Sequence, residues 1–89
     1  MPFRSNAKAL VANAGRKLTV EGHTDERGGT EYNLALGQKR AQAVVKALAL
    51  LGAKEAQLEA VSFGKERPAD AGHDEAAWAK NRRAELKDR

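Results

Sequence analysis

The segment Thr30 to Leu51 carries a sustained helical repeat and lies between two stretches that read as strands. That arrangement decides the fold class. At about 100° per residue, Leu34, Ala41, Val44, Val45 and Leu48 make one stripe for a core. Gly52 ends the helix. Ahead of it, Arg16 to His23 alternates, with Leu18, Val20 and Gly22 on one face and Lys17, Thr19 and Glu21 on the other, as in a half-buried strand. Behind it, Leu58 to Phe63 reads as a second strand, closed by Gly64 and Pro68. A short helix is expected from Ser5 to Ala14, capped by Ser5 or Asn6 and stopped by Gly15. Another is expected from Asp74 to Lys80, with Asp74 as N-cap and Trp78 as anchor. Arg82 to Lys87 reads as a weak last strand. The order is that of an α+β domain, a small mixed β-sheet with helices packed on one face.

With 89 residues the chain makes a single domain, 1–89. Its aromatic residues are Phe3, Tyr32, Phe63 and Trp78, so Ala, Leu and Val must build the core. A core of that kind leaves a net stability on the order of 3–5 kcal/mol. The absence of Cys excludes a disulfide framework and a thiolate metal site. The balance of 16 basic against 12 acidic residues gives a net charge of +4. Both signs mix along the chain except near its end, where Lys80, Arg82, Arg83, Lys87 and Arg89 outnumber Glu85 and Asp88. This tail reads as a solvated surface rather than a phosphate-binding arm, so no nucleic-acid partner is expected. No apolar run approaches the ~20 residues of a membrane span, and Met1-Pro2-Phe3-Arg4 does not open a signal peptide. The first helix has no strand before it, so the natural domain is expected to extend upstream.

The loop Thr24 to Gly29 follows a strand and opens onto the long helix, a place where ligands often bind. Asp25 presents a carboxylate there. On the helix, Asn33, Leu36 and Arg40 share a face at spacings of three and four. An Asp and an Arg facing one cavity can pair with each other. They can also receive a ligand that carries both an ammonium and a carboxylate, the Arg clamping the carboxylate in fork geometry. Residue types alone favour the structural pair, because surface ion pairs are common and most contribute little. His23 and His73 lack metal-ligand spacing and read as hydrogen-bonding loop residues. Ser5 and Ser62 lack a nucleophile-elbow motif, so no catalytic nucleophile is expected. No cofactor motif is present. Asn81-Arg82-Arg83 reads as a tie between the last strand and a neighbouring carboxylate or carbonyl.

Leu18-Thr-Val-Glu-Gly-His-Thr-Asp-Glu-Arg-Gly28, then Glu31-Tyr-Asn33, then Leu36-Gly-x-x-Arg40-Ala41 resembles the signature of OmpA-like peptidoglycan-binding domains. Gly64-Lys-Glu-x-Pro68 and Gly72 to Arg83 resemble the lipoprotein branch of that family. The likeness spans residues 16–83, and several dispersed motifs in order make it specific. It implies a non-enzymatic outer-membrane anchor in the periplasm. Such a domain binds the meso-diaminopimelate of the peptidoglycan stem peptide without covalent bonds and also meets the Tol-system protein TolB. By this resemblance Asp25 and Arg40 hold the far end of the diaminopimelate side chain and Leu36 lines the pocket, with Asn33 and Thr24 beside them. It reverses the preference for a bare Asp25–Arg40 pair.

The chain departs from the family at two points. The family's first strand, with its Phe-Asp motif, has no counterpart in Met1 to Arg4, and Ala84 to Arg89 is half charged. An absent strand leaves a sheet edge open, so a homodimer or strand exchange is expected. No lipid-attachment Cys is present. The competing readings are a truncated or rebuilt fragment that folds or assembles without ligand, and a weak nucleic-acid binder using the basic tail.

Overall fold

Two strands that lie side by side and run the same way need a long crossover, and the helix at the centre of the chain supplies it. In the computed structural model, which describes residues 3–89, the elements are α1 (Arg4–Ala12), β1 (Leu18–His23), α2 (Thr30–Leu50), β2 (Leu58–Gly64), α3 (Glu75–Asn81) and β3 (Arg83–Asp88). A single 3₁₀ turn, Glu55–Gln57, precedes β2. Met1 and Pro2, part of the segment expected to lack the family's first strand, lie outside the described residues.

The sheet order is β2-β1-β3. β1 pairs parallel with β2, Leu18 opposite Leu58 and Val20 opposite Ala60, with an irregularity between Gly22 and His23. It pairs antiparallel with β3, Val20 opposite Leu86 and Gly22 opposite Ala84. The sheet is mixed, and among the described residues β3 carries no strand on its outer edge. Ala7 and Leu10 of α1, Leu18 and Val20 of β1, and Ala41, Val44 and Leu48 of α2 form one buried cluster, with Ala84 and Leu86 of β3 packed against it. Thus α1 and α2 cover the face of β1 that bears Leu18 and Val20.

The contact between α2 and the sheet is unusually close. A Cβ on Gly22 would lie 1.8 Å from the Gly37 carbonyl oxygen, and a Cβ on Gly37 would lie 2.2 Å from Ser62 Oγ. Backbone meets backbone there, which only a glycine on each side permits.

Several elements differ from expectation for identifiable reasons. The core stripe of α2 is Asn33, Gly37, Ala41, Val44 and Leu48. Leu34 is exposed and Val45 only partly buried. The regular repeat passes through an amide and a glycine, so a stripe drawn on apolar residues slips by one position at its start. α1 has neither Ser5 nor Asn6 as cap and begins at Arg4. It ends at Ala12 rather than Ala14, because Asn13 is extended and its side chain accepts the Gly15 N–H at 3.1 Å. In α3, Asp74 caps as expected, accepting the Ala77 N–H at 2.9 Å. The buried residues of that helix are Ala77 and Asn81, while Trp78 is half-buried and serves the site below.

The basic tail is compensated. Lys80 faces Asp70, Arg82 faces Asp25 and Glu75, Arg83 and Lys87 share Glu85, and Arg89 faces Glu59. Asn81 accepts the Ala69 and Asp70 N–H groups and donates to the Asp70 carbonyl. These are the ties to carboxylates and backbone read from the sequence.

Gln57 had no sequence signal. It is buried, and its amide nitrogen lies 2.8, 3.0 and 3.1 Å from the carbonyl oxygens of Leu10, Asn13 and Arg16. Its oxygen accepts the Lys54 N–H at 3.0 Å. One amide thus closes the end of α1 and the turn into β1. Gln57→Ala strands these groups, and chemical denaturation should show a loss of about 1–3 kcal/mol.

Candidate functional site

The turn after β1 is built around one carboxylate. Asp25 follows Thr24, whose N–H donates to the Gly64 carbonyl at 2.9 Å and so locks the turn to the end of β2. Asp25 Oδ1 accepts the Arg27 backbone N–H at 3.0 Å, a side-chain turn that Asp forms readily. The Arg27 guanidinium then folds back, Nε to Oδ1 at 3.2 Å and Nη2 to Oδ2 at 2.8 Å. Arg82, at the end of α3, donates from Nη1 to Oδ2 at 3.0 Å, and its other terminal nitrogen pairs with Glu75. Asn33 holds the turn from below, donating to the Arg27 carbonyl at 2.8 Å, and Lys65 donates to the Gly28 carbonyl at 2.8 Å.

The Asp25 side chain is only 10% exposed. The Arg27 side-chain hydrogen bonds hold its carboxyl well below the usual aspartate range. The Arg27 N–H and Arg82 add to this, and together they outweigh the opposing cost of burial. Asp25 is a carboxylate at every physiological pH.

An open cleft of about 400 Å³ adjoins this group, with Asp25, Arg27 and Arg82 on one side and Tyr32, Asn33 and Leu36 of α2 on the other. A second cavity of about 240 Å³ lies between the end of β1 and the loop before α3, lined by Thr24, Glu26, Lys65 and His73 among others. Glu26 lines this second cavity. Its carboxylate accepts the Trp78 indole N–H at 2.7 Å and lies 2.8 Å from His73 Nδ1. These bonds, that from Trp78 first, lower its pKa. The Arg27 guanidinium stands 4.4 Å over the Trp78 ring.

The five residues singled out from the sequence are therefore distributed. Asp25, Asn33 and Leu36 border the cleft. Asn33 is buried and acts on the turn rather than presenting its amide outward. Thr24 is buried and its hydroxyl donates to the Asp25 carbonyl. Arg40 does not pair with Asp25. Its guanidinium donates to the His23 carbonyl, two residues before Asp25 in the chain. His23 is not a hydrogen-bonding loop residue. It is the buried last residue of β1, stacked on Phe63 with centroids 5.6 Å apart, and among the described residues neither ring nitrogen has a hydrogen-bond partner. Burial, reinforced by Arg83, lowers its pKa. The structure brings Arg27, Arg82, Trp78 and Glu26 into the same network. Arg27 stands at the spacing from Asp25 that a side-chain turn predicts; the approach of Arg82 and Trp78 depends on tertiary packing.

The chain as a whole is similar to known proteins. A family model described as the OmpA family matches residues 3–82. The chain belongs to the OmpA family. It is 61% identical over 77 residues to the peptidoglycan-associated lipoprotein of Pseudomonas aeruginosa, a match covering 86% of this chain and 46% of the relative. To the protein of the same name from Legionella pneumophila it is 49% identical over 82 residues, covering 92% of this chain and 47% of the relative. The chain thus spans about half the length of these relatives. The crystal structure of the peptidoglycan-associated lipoprotein from Burkholderia pseudomallei superposes with a TM-score of 0.95 at 56% identity, over 98% of this chain and 74% of that one. The C-terminal domain of Helicobacter pylori MotB follows the same path with a TM-score of 0.87 at 25% identity, over 99% of this chain and 69% of that one. The α+β fold expected from the sequence is the OmpA-like fold. Among the described residues no helix is long and apolar enough to cross a membrane.

Proposed function

We propose that this OmpA-family domain is a non-enzymatic binding module for peptidoglycan. Its ligand is the meso-diaminopimelate side chain of the stem peptide, and through it the protein that carries the domain ties the outer membrane to the cell wall from the periplasm. The observation that carries this reading is a buried Asp25 carboxylate at the wall of an open cleft, bordered by the guanidinium groups of Arg27 and Arg82. The far end of diaminopimelate bears an ammonium and a carboxylate on one carbon. Asp25 suits the ammonium and Leu36 the methylene chain; Arg40, which is not part of the cleft's lining, is the proposed partner of the carboxylate through the N–H groups that the His23 carbonyl does not engage. Asn33 and Thr24 serve by fixing the turn. The likeness to proteins named peptidoglycan-associated lipoprotein supports the ligand class.

TolB is the proposed protein partner, and Glu26, Arg27 and the Gly64 to Gly72 loop are where competition with the ligand would arise. Among the described residues the outer edge of β3 has no strand partner, and a homodimer or strand-exchanged form is proposed on that edge.

Isothermal titration with two muropeptides tests the ligand, one carrying diaminopimelate and one carrying lysine in its place. Lysine lacks the terminal carboxylate. The domain should favour diaminopimelate at least tenfold, and Arg40→Ala should remove that preference at a cost of about 1.5–3 kcal/mol. Equal affinity for both peptides would remove the carboxylate clamp, and no binding to either would remove the function.

A further inference from the structure

Resting on that reading, we propose that Arg27 is a built-in competitor of the ligand, a movable guanidinium that occupies the ammonium subsite on Asp25 and must leave it before the ligand can bind. Asp25 offers two oxygens, and both are taken. Oδ1 holds the Arg27 N–H and Nε, and Oδ2 holds Arg27 Nη2 and Arg82 Nη1. With four donors already on its two oxygens, the carboxylate has no lone-pair position left for a further cation. An incoming ammonium therefore replaces one of the guanidinium groups.

The two arginines differ in their freedom to go. Arg82 is 30% exposed and bridges Asp25 to Glu75, so its departure breaks two ion pairs. The Arg27 side chain is 54% exposed, and Asp25 is its one ion-pair partner among the described residues. Its guanidinium also lies over the face of Trp78 at 4.4 Å. That ring is held in place by its own N–H bond to Glu26. Leaving Asp25 costs Arg27 nothing in backbone structure, because the turn is kept by its N–H on Oδ1 and its carbonyl on Asn33. The guanidinium swings away while the turn stays.

Exchange of one charge-assisted contact for another explains how a buried Asp stays paired when the site is empty, since an uncompensated buried carboxylate is costly. It also sets affinity. The ligand binds only the fraction of molecules whose Arg27 has moved, so the apparent dissociation constant is raised in proportion. A ligand that lacks the ammonium gains nothing from displacing Arg27, which makes the residue a filter for the charged tip.

The test is titration of the diaminopimelate muropeptide into the wild-type chain, Arg27→Gln and Arg27→Lys. Trp78, the only tryptophan, supplies a fluorescence readout. Arg27→Gln should bind about tenfold more tightly than wild type, with Arg27→Lys between them. Binding to wild type should change Trp78 emission as the guanidinium leaves the ring, and binding to Arg27→Gln should change it far less. Weaker binding by Arg27→Gln, with thermal unfolding showing it folded, overturns the proposal by making Arg27 a ligand contact. Unchanged affinity with unchanged Trp78 emission also overturns it, while leaving the diaminopimelate reading intact. Failure of wild type and both variants to bind overturns that reading and this one together.

Discussion

Gly22→Ala leaves the domain largely unfolded at room temperature. The added methyl would sit 1.8 Å from the Gly37 carbonyl oxygen and 2.7 Å from its carbonyl carbon. Both are backbone atoms in the middle of α2, so no side-chain rotation relieves the clash. The helix must lift from the sheet, which opens the layer formed by Val20, Ala41 and Leu48. Overpacking of a tight core costs typically 1–3 kcal/mol and more where backbone must move, against a total on the order of 3–5 kcal/mol for so small a core. Gly37→Ala is the informative comparison. Its nearest obstruction is Ser62 Oγ at 2.2 Å, a hydroxyl that can rotate, followed by the Gly22 carbonyl oxygen at 3.0 Å. It should be destabilised less than Gly22→Ala, and urea denaturation of the two variants gives the order. A Gly22→Ala midpoint close to wild type would mean that α2 is not seated against β1 as closely as described.

This pair shows where the sequence was legible and where it was not. The strand alternation put Gly22 on the core face with Leu18 and Val20, and all three are buried. Nothing local says that the next layer brings another glycine to meet it, because the pairing of Gly22 with Gly37 is a property of the helix seat and not of either segment. The same holds for Asn33. Its spacing from Gly37 and Ala41 places it in the buried stripe, yet a polar residue is weighed toward solvent until its partner, the Arg27 carbonyl, is known. Leu34 is weighed inward for the opposite reason and is exposed, since the start of α2 lies against Gly64 of β2, where there is no side chain to cover a leucine. Trp78 looks like an anchor by size and proves to be a ledge for Arg27. Elements with a clear period were readable, and their caps where a short polar side chain sits at the right offset, as at Asp74. At the site, Asp25 was readable because the loop position and the family motif coincide. Its counter-ions come from Arg27 by local turn chemistry and from Arg82 by long-range packing, and the second kind leaves no local trace.

Asp25→Asn should reduce affinity for the diaminopimelate muropeptide about a hundredfold, the scale of a lost charged hydrogen bond at a desolvated site. Asn keeps the size of the side chain and an oxygen for the Arg27 N–H, so the turn survives. What it removes is the charge, and it leaves Arg27 and Arg82 facing each other with Glu75 as the nearest carboxylate. The direction is opposite to that expected for Arg27→Gln, although both variants break the same ion pair. A structural pair would predict a similar loss from either side, whereas a ligand site with an internal competitor predicts opposite signs. Stability against pH gives an independent measure. The folded-state pKa of Asp25 lies below its ordinary value of 3.8, so the unfolded chain takes up the proton first as the solution is acidified. The contribution of Asp25 is complete above that value and falls away as pH drops below it toward the folded-state pKa. Thermal unfolding of wild type should therefore weaken through the acid range below about pH 4. Asp25→Asn, with no proton to take up at that site, should start from a lower stability at neutral pH and show a shallower acid decline. Parallel acid limbs for the two proteins would mean that the Asp25 carboxylate is not held by the arginines in solution, and that its charge is free for the ligand without any exchange.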